Sequence, residues 1–101
     1  MKNVVITGAG SGLGASLARK YHERGYHMTL LGRTVDKLAL IAEDFEHYAL
    51  FKLDVSSYTD VERTFKKIKD EVGSIDLLIN NAGVGYFDLA ENLTVNEVDQ
   101  L

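Results

Sequence analysis

The chain has 101 residues and a net charge of −4, and it contains neither cysteine nor proline. That length supports one small domain at most, the acidic balance argues against a nucleic-acid partner, and the lack of cysteine excludes disulfides and thiolate chemistry, leaving the cytosol as the default compartment. No apolar run approaches the ~20 residues of a membrane span, and the run before Gly8 is too short for a signal peptide.

Val4-Val5-Ile6 reads as a short buried strand. It runs directly into Thr7-Gly8-Ala9-Gly10-Ser11-Gly12-Leu13-Gly14, with four glycines in eight residues. Behind this turn Leu13, Leu17 and Tyr21, with Ala18 beside them, follow helical spacing, and Gly25 stands where a helix C-cap belongs. Residues 28–31 form a second apolar strand. Leu38, Ile41, Ala42 and Phe45 repeat the helical pattern, and residues 49–53 give a third strand. Val61, Phe65, Ile68 and Val72 mark a third helix, with Ser57 and Asp60 as its capping pair and Gly73 behind it. Residues 75–79 are a fourth strand. Strand and helix alternate with short connections, which predicts right-handed crossovers and a doubly wound parallel α/β sheet covered on both faces. Near-continuous apolar strands fit burial from both sides.

The glycine turn is the most informative segment. A bare backbone between a strand and a helix approaches a ligand closely, and the helix start offers N–H groups and a favourable dipole to a phosphate. Two registers fit a dinucleotide site: one beginning at Gly8, and Gly10-x-Gly12-x-x-Ala15. The first is preferred, because the second starts two residues further from the strand. A P-loop would end in Gly-Lys-Ser/Thr, and no lysine lies between Lys2 and Arg19.

Thr7-Gly8-x-x-x-Gly12-x-Gly14, Asp54-Val55 at the end of the third strand and Asn80-Asn81-Ala82-Gly83 at the end of the fourth together resemble the three signatures of the classical short-chain dehydrogenase/reductase family. The extended, epimerase-type branch would place glycine where Ser11 stands. The resemblance implies a Rossmann-type sheet of order 3-2-1-4, with residues 1–101 as the N-terminal part of a single NAD(P)-binding domain. It gives each motif a role. Gly8 permits the tight turn, Gly12 lets the backbone approach a pyrophosphate, and Gly14 lets the helix pack on the sheet. Ser11 offers a hydroxyl and Leu13 an N–H to phosphate. Asp54 accepts from the adenine amino group and Val55 lines the adenine pocket. Asn81 ties the fourth strand to its neighbour, and Ala82 and Gly83 are small residues over which ribose and nicotinamide pass. Read by their chemistry alone, Asp54 is equally a helix N-cap or turn acid, and Asn-Asn-Ala-Gly a plain turn.

NAD-binding folds place an acid about 20 residues past the glycines to hold the ribose 2′-hydroxyl. Here that place is Gly32, followed by Arg33. A guanidinium suits the 2′-phosphate of NADP, so NADP is the expected cofactor, with NAD the alternative; the plainer reading of Arg33 is a solvated loop arginine. Asp36 falls in a first helical turn, where the dipole favours acids.

The family's catalytic serine, Tyr-x-x-x-Lys pair and helper asparagine come after the Asn-Asn-Ala-Gly segment, and none is assigned here; Asn92 and Asn96 lie too close to it. Tyr48 and Lys52 match Tyr-x-x-x-Lys in letters only. They fall on a strand, where a four-residue step separates them by roughly 13 Å. His22, His27 and His47 show no metal spacing, and Lys66, Lys67 and Lys69 read as a solvated helix face. Tyr86-Phe87 after Gly85 reads either as a cap on the cofactor pocket or as a contact to the half of the domain that follows. Thr94-x-x-Glu97 resembles a capping box opening a fourth helix. With the fourth strand as an exposed edge, self-association or partial folding is expected, and the chain reads as a fragment. The implied protein is an oxidoreductase acting on a small carbonyl or alcohol, homo-oligomeric when intact, with no membrane partner. The alternative is a non-catalytic dinucleotide-binding or interaction module that is naturally this short.

Overall fold

The computed structural model describes residues 1–10, 12–81 and 98–100. In chain order the elements are β1 (Asn3–Thr7), α1 (Gly12–Glu23), β2 (His27–Gly32), α2 (Val35–Ile41), a 3-10 turn (Ala42–Asp44), β3 (Tyr48–Lys52), α3 (Tyr58–Glu71), β4 (Leu77–Asn80) and β5 (Val98–Gln100). The strands form one sheet of order β3-β2-β1-β4-β5, and every pairing is parallel. This is the doubly wound parallel α/β sheet that the alternation predicts, and it contains the 3-2-1-4 order that the resemblance implies.

The outer edge differs from expectation. β4 is not exposed: Leu78, Ile79 and Asn80 pair with Val98, Asp99 and Gln100 of β5. Thr94 and Glu97 lie outside the described residues, but the helix expected to follow them is not what residues 98–100 form. The physical reason is in β4 itself. An interior-type strand presents a row of backbone donors and acceptors, and an extended neighbour satisfies them where a helix cannot. The open edge behind the expected self-association is therefore covered at these three positions.

Alternate residues of each strand feed two cores. Val4, Ile6, Met28 and Leu30 meet Ala15 and Ala18 of α1 and Leu38 and Ile41 of α2. Val5, Leu31 and Leu78 meet Val61, Phe65 and Ile68 of α3 on the other face. α1 buries small residues, Gly14, Ala15 and Ala18, and Leu17 and Tyr21 only flank that face. Leu13, read as part of the apolar stripe, is 56% exposed. A helix that rides close on the strand has no room for a leucine at its first turn.

The caps are as expected, with one redirection. Gly25 N–H donates to His22 O and Tyr26 N–H to Tyr21 O, which closes α1 in a Schellman pattern. Ser57 Oγ accepts from Asp60 N–H at 3.2 Å, but the Asp60 carboxylate takes Asp54 N–H at 2.8 Å instead of completing a capping box. α2 gives way to the 3-10 turn before Phe45. The Phe45 ring instead stacks on His22 at 4.2 Å, and His22 Nε2 accepts Glu46 N–H at 3.0 Å.

The lower end of the sheet holds a buried polar knot. Asn3 Oδ1 accepts from Thr29 Oγ1 at 2.7 Å and lies 3.2 Å from His27 Nδ1, while Asn3 N–H donates to Asp76 Oδ2 at 2.8 Å. It pins the starts of β1, β2 and β4 together, far from the strand ends that carry the site.

Candidate functional site

The site is built where β1, β2, β3 and β4 end. Gly8 and Gly12 have φ of 63° and 58°, the left-handed region in which a side chain is strained. Ala9 N–H donates to Leu31 O at 3.1 Å, which lashes the turn to β2. Gly14 serves a different need. A Cβ there would stand 2.5 Å from Gly8 O and 2.6 Å from Asn81 Nδ2, whereas nothing lies within 4 Å of a Cβ on Gly12. One glycine seals the helix to the turn, and the other faces open space. α1 has no acid in its first turn, while α2 and α3 carry Asp36 and Asp60 there. The N-terminus of α1 thus has no carboxylate of its own in the first turn.

Asn81 joins β4 to this turn. Its N–H donates to Thr7 Oγ1 at 3.0 Å and its Nδ2 to Gly8 O at 3.1 Å. Thr7 Oγ1 in turn donates to Asn80 Oδ1 at 3.0 Å. Thr7 and Asn80, both buried, therefore hold Asn81 in place. The sequence reading gave Thr7 and Asn80 no separate role; the available signal was two polar residues at the ends of otherwise apolar strands.

Beyond the turn, Gly8, Leu31, Gly32, Arg33, Leu53 and Val55 line a cleft of about 200 Å³. Next to it, a hollow of about 640 Å³ is lined by Arg33, Lys52, Leu53, Asp54 and Asp60. Arg33 and Leu53 belong to both walls. Apolar side chains thus flank the inner part and charged ones the outer. At Gly32 a Cβ would come within 3.2 Å of Leu38 Cδ2, so a side chain there would crowd the tip of Leu38 from α2. The Arg33 guanidinium stands 3.8 Å from Asp54 Oδ1, both side chains being more than half exposed.

Asp54 is a turn acid as well as a rim acid. Its Oδ1 accepts from Ser56 Oγ at 2.6 Å and from Ser56 N–H at 3.0 Å. The Ser56 hydroxyl first, then the Ser56 N–H, and least the Arg33 charge hold its carboxyl below the ordinary 3.8. The structure therefore sets Gly8 and Val55 on the smaller cleft and Asp54 on the neighbouring hollow, with Arg33 on both, and Gly14 and Asn81 pack together at the turn after β1. Leu13 is the second residue of α1. Ser11, Ala82, Gly83, Tyr86, Phe87, Asn92 and Asn96 lie outside the described residues. Tyr48 and Lys52 sit at the two ends of β3, aligned with Met28 and Gly32. Among the described residues no three His, Cys, Asp or Glu side chains group as metal ligands, and no helix is long and apolar enough to cross a membrane.

The family described as short chain dehydrogenase matches residues 2–101. An uncharacterised oxidoreductase of Mycobacterium tuberculosis is 40% identical over 90 residues, covering 83% of this chain and 36% of that protein. The 3-ketodihydrosphingosine reductase of Mus musculus is 32% identical over 108 residues, covering 98% of this chain and 32% of that one. The chain thus spans about a third of the length of these curated relatives. Among solved structures, an alcohol dehydrogenase from the archaeon Thermococcus sibiricus complexed with 5-hydroxy-NADP matches with a TM-score of 0.79 at 38% identity, over 85% of this chain and 39% of that one. A metagenomic short-chain oxidoreductase in complex with NADP matches with a TM-score of 0.78 at 31% identity, over 85% of this chain and 41% of that one.

Proposed function

The chain belongs to the short-chain dehydrogenase family, and we propose that it is the cofactor-holding part of an NADP(H)-dependent oxidoreductase that moves hydride between a nicotinamide ring and a small carbonyl or alcohol. The observation that carries this reading is the packing of Gly14 against Gly8 O and Asn81 Nδ2, with Gly12 open beside it. Such a cradle admits a pyrophosphate against bare backbone. The adjoining hollow suits an adenosine, with apolar walls inside and Arg33 at the rim. Two similar solved structures hold NADP-type cofactors.

In this reading Gly8, Gly12, the Ser11 hydroxyl and the Leu13 N–H hold the pyrophosphate. Arg33 binds the 2′-phosphate, Asp54 accepts from the adenine amino group and Val55 packs on the base. Asn81, Ala82 and Gly83 border the ribose and nicotinamide. When bound, the cofactor supplies the hydride donor or acceptor. The proton is a separate matter. A tyrosine with a lysine beside it would move it, and the Tyr-x-x-x-Lys spacing of Tyr48 and Lys52 spans a strand. The 101 residues alone are therefore expected to bind cofactor without turnover.

Fluorescence titration of NADPH and NADH against the parent and Arg33→Ala tests the reading. NADPH should bind more tightly to the parent, and Arg33→Ala should remove most of that preference, a change of about 1–3 kcal/mol for a charge-assisted contact. Equal affinities in the parent would overturn it.

A further inference from the structure

We infer that Lys52 is a second cation of the 2′-phosphate subsite and cancels the net negative charge that the rim would otherwise carry. The inference rests on the NADP reading above and goes beyond it in assigning a residue outside the family signatures. Lys52 is the last residue of β3 and pairs in register with Gly32, the residue before Arg33. Gly32, opposite Lys52 on the neighbouring strand, carries no side chain of its own. Both cations line the same 640 Å³ hollow.

The charges around that hollow make Lys52 matter. Arg33 and Lys52 share its lining with Asp54 and Asp60. Both acids are fixed by short bonds, Asp54 to Ser56 and Asp60 to Asp54 N–H, so neither swings away when an anion arrives. Arg33 already stands against Asp54. Among the described residues the Lys52 ammonium has no hydrogen-bond or ion-pair partner. With Lys52 the rim is neutral, and Arg33 has a free cationic neighbour. Without it the rim carries one net negative charge against an incoming dianion. A solvated lysine elsewhere on the surface would contribute little; this one lines the hollow that holds two carboxylates and Arg33.

The test is a titration of NADPH and NADH against the parent protein, Lys52→Gln, Lys52→Arg and Arg33→Ala, with thermal melting of each variant. Lys52→Gln should weaken NADPH by about tenfold, the scale of one charge-assisted contact, and leave NADH within about twofold. Lys52→Arg should restore NADPH binding. The salt dependence of NADPH affinity should be shallower in Lys52→Gln than in the parent. If the parent prefers NADPH and Arg33→Ala abolishes the preference while Lys52→Gln does not change it, the inference fails and the NADP reading survives. If the parent shows no preference, the NADP reading itself fails. A parallel loss of NADPH and NADH in Lys52→Gln would make the lysine structural and would also overturn the inference.

Discussion

Asn81 Nδ2 lies 2.6 Å from the point where a Cβ on Gly14 would stand, and Gly8 O lies 2.5 Å from it. The end of β4, the turn after β1 and the start of α1 therefore meet at one glycine. Gly14→Ala should destabilise the fold by about 3 kcal/mol, at the upper end of overpacking costs, because one of the crowded atoms is backbone. Gly12→Ala should cost less, about 1–2 kcal/mol, since its strain is only that of a left-handed φ. Urea unfolding of both variants checks the order, and a larger loss at Gly12 would contradict it.

Thr7 sits under this junction. Its hydroxyl accepts from Asn81 N–H and donates to Asn80 Oδ1, and the residue is fully buried. Thr7→Val keeps the shape and removes the acceptor. The Asn81 N–H then loses its partner, at a cost of about 1–3 kcal/mol. Amide hydrogen exchange at Asn81 should speed up more than at Ile6, and equal changes at both would mean a global rather than a local effect.

The alternation of strand and helix and the cap at Ser57 were legible in the sequence because each depends on residues close in the chain, whereas the strand order followed from the family resemblance. Periodicity placed Ile68 and Phe65 inward, and Gly25 and Gly73 ended their helices. Leu13 misled because its helical spacing is right but the face α1 turns to the sheet at its start is that of Gly14 and Ala15, and Leu13 is 56% exposed. Asp60 bonds Asp54 N–H, not Ser57 N–H, a choice set by the path of the loop after β3. The Asn3, Thr29 and His27 knot joins two strands far apart in sequence, and no local pattern announces it. The pairing of β5 on β4 is likewise a long-range contact, and a capping-box motif pointed the other way. Of the site, the glycine turn, Arg33 and Asn81 were readable as motifs. Lys52 was not, because its place in the hollow follows from its register with Gly32.

The knot at the bottom of the sheet gives a pH dependence. Burial, and secondarily the nearby His47 charge, lower the His27 pKa from its ordinary 6.5. Between the lowered and ordinary values the unfolded chain binds more protons, so stability rises with pH in that window. The contribution is complete above about pH 6.5 and is lost as pH falls through the folded value. Asp54 adds no slope there, because its carboxyl is held below 3.8 and its contribution is lost only in stronger acid. Denaturation between pH 5 and 7.5 should show the rise in the parent and a flatter line in His27→Gln. An unchanged slope in the variant would count against His27 as the source.

Gly32 offers a way to turn the cofactor preference. It lies about 20 residues past the glycine turn, where NAD-binding folds carry their ribose-holding acid. Its φ is not among the positive ones, so an L side chain fits the backbone, and the obstacle is the tip of Leu38 at 3.2 Å from a Cβ. That tip is the end of a side chain and must give way by a few tenths of an ångström, which costs about 1 kcal/mol in a packed core. Gly32→Ala carries the same crowding without a carboxylate and separates the two effects. Both variants should lose similar stability in thermal melts. Only Gly32→Asp should tighten NADH relative to NADPH, by about tenfold for a new carboxylate against the 2′-hydroxyl and a repelled 2′-phosphate. The same shift in Gly32→Ala would mean that displacing Leu38 reshapes the cleft, and that the bare backbone at Gly32, not the missing acid, sets the preference.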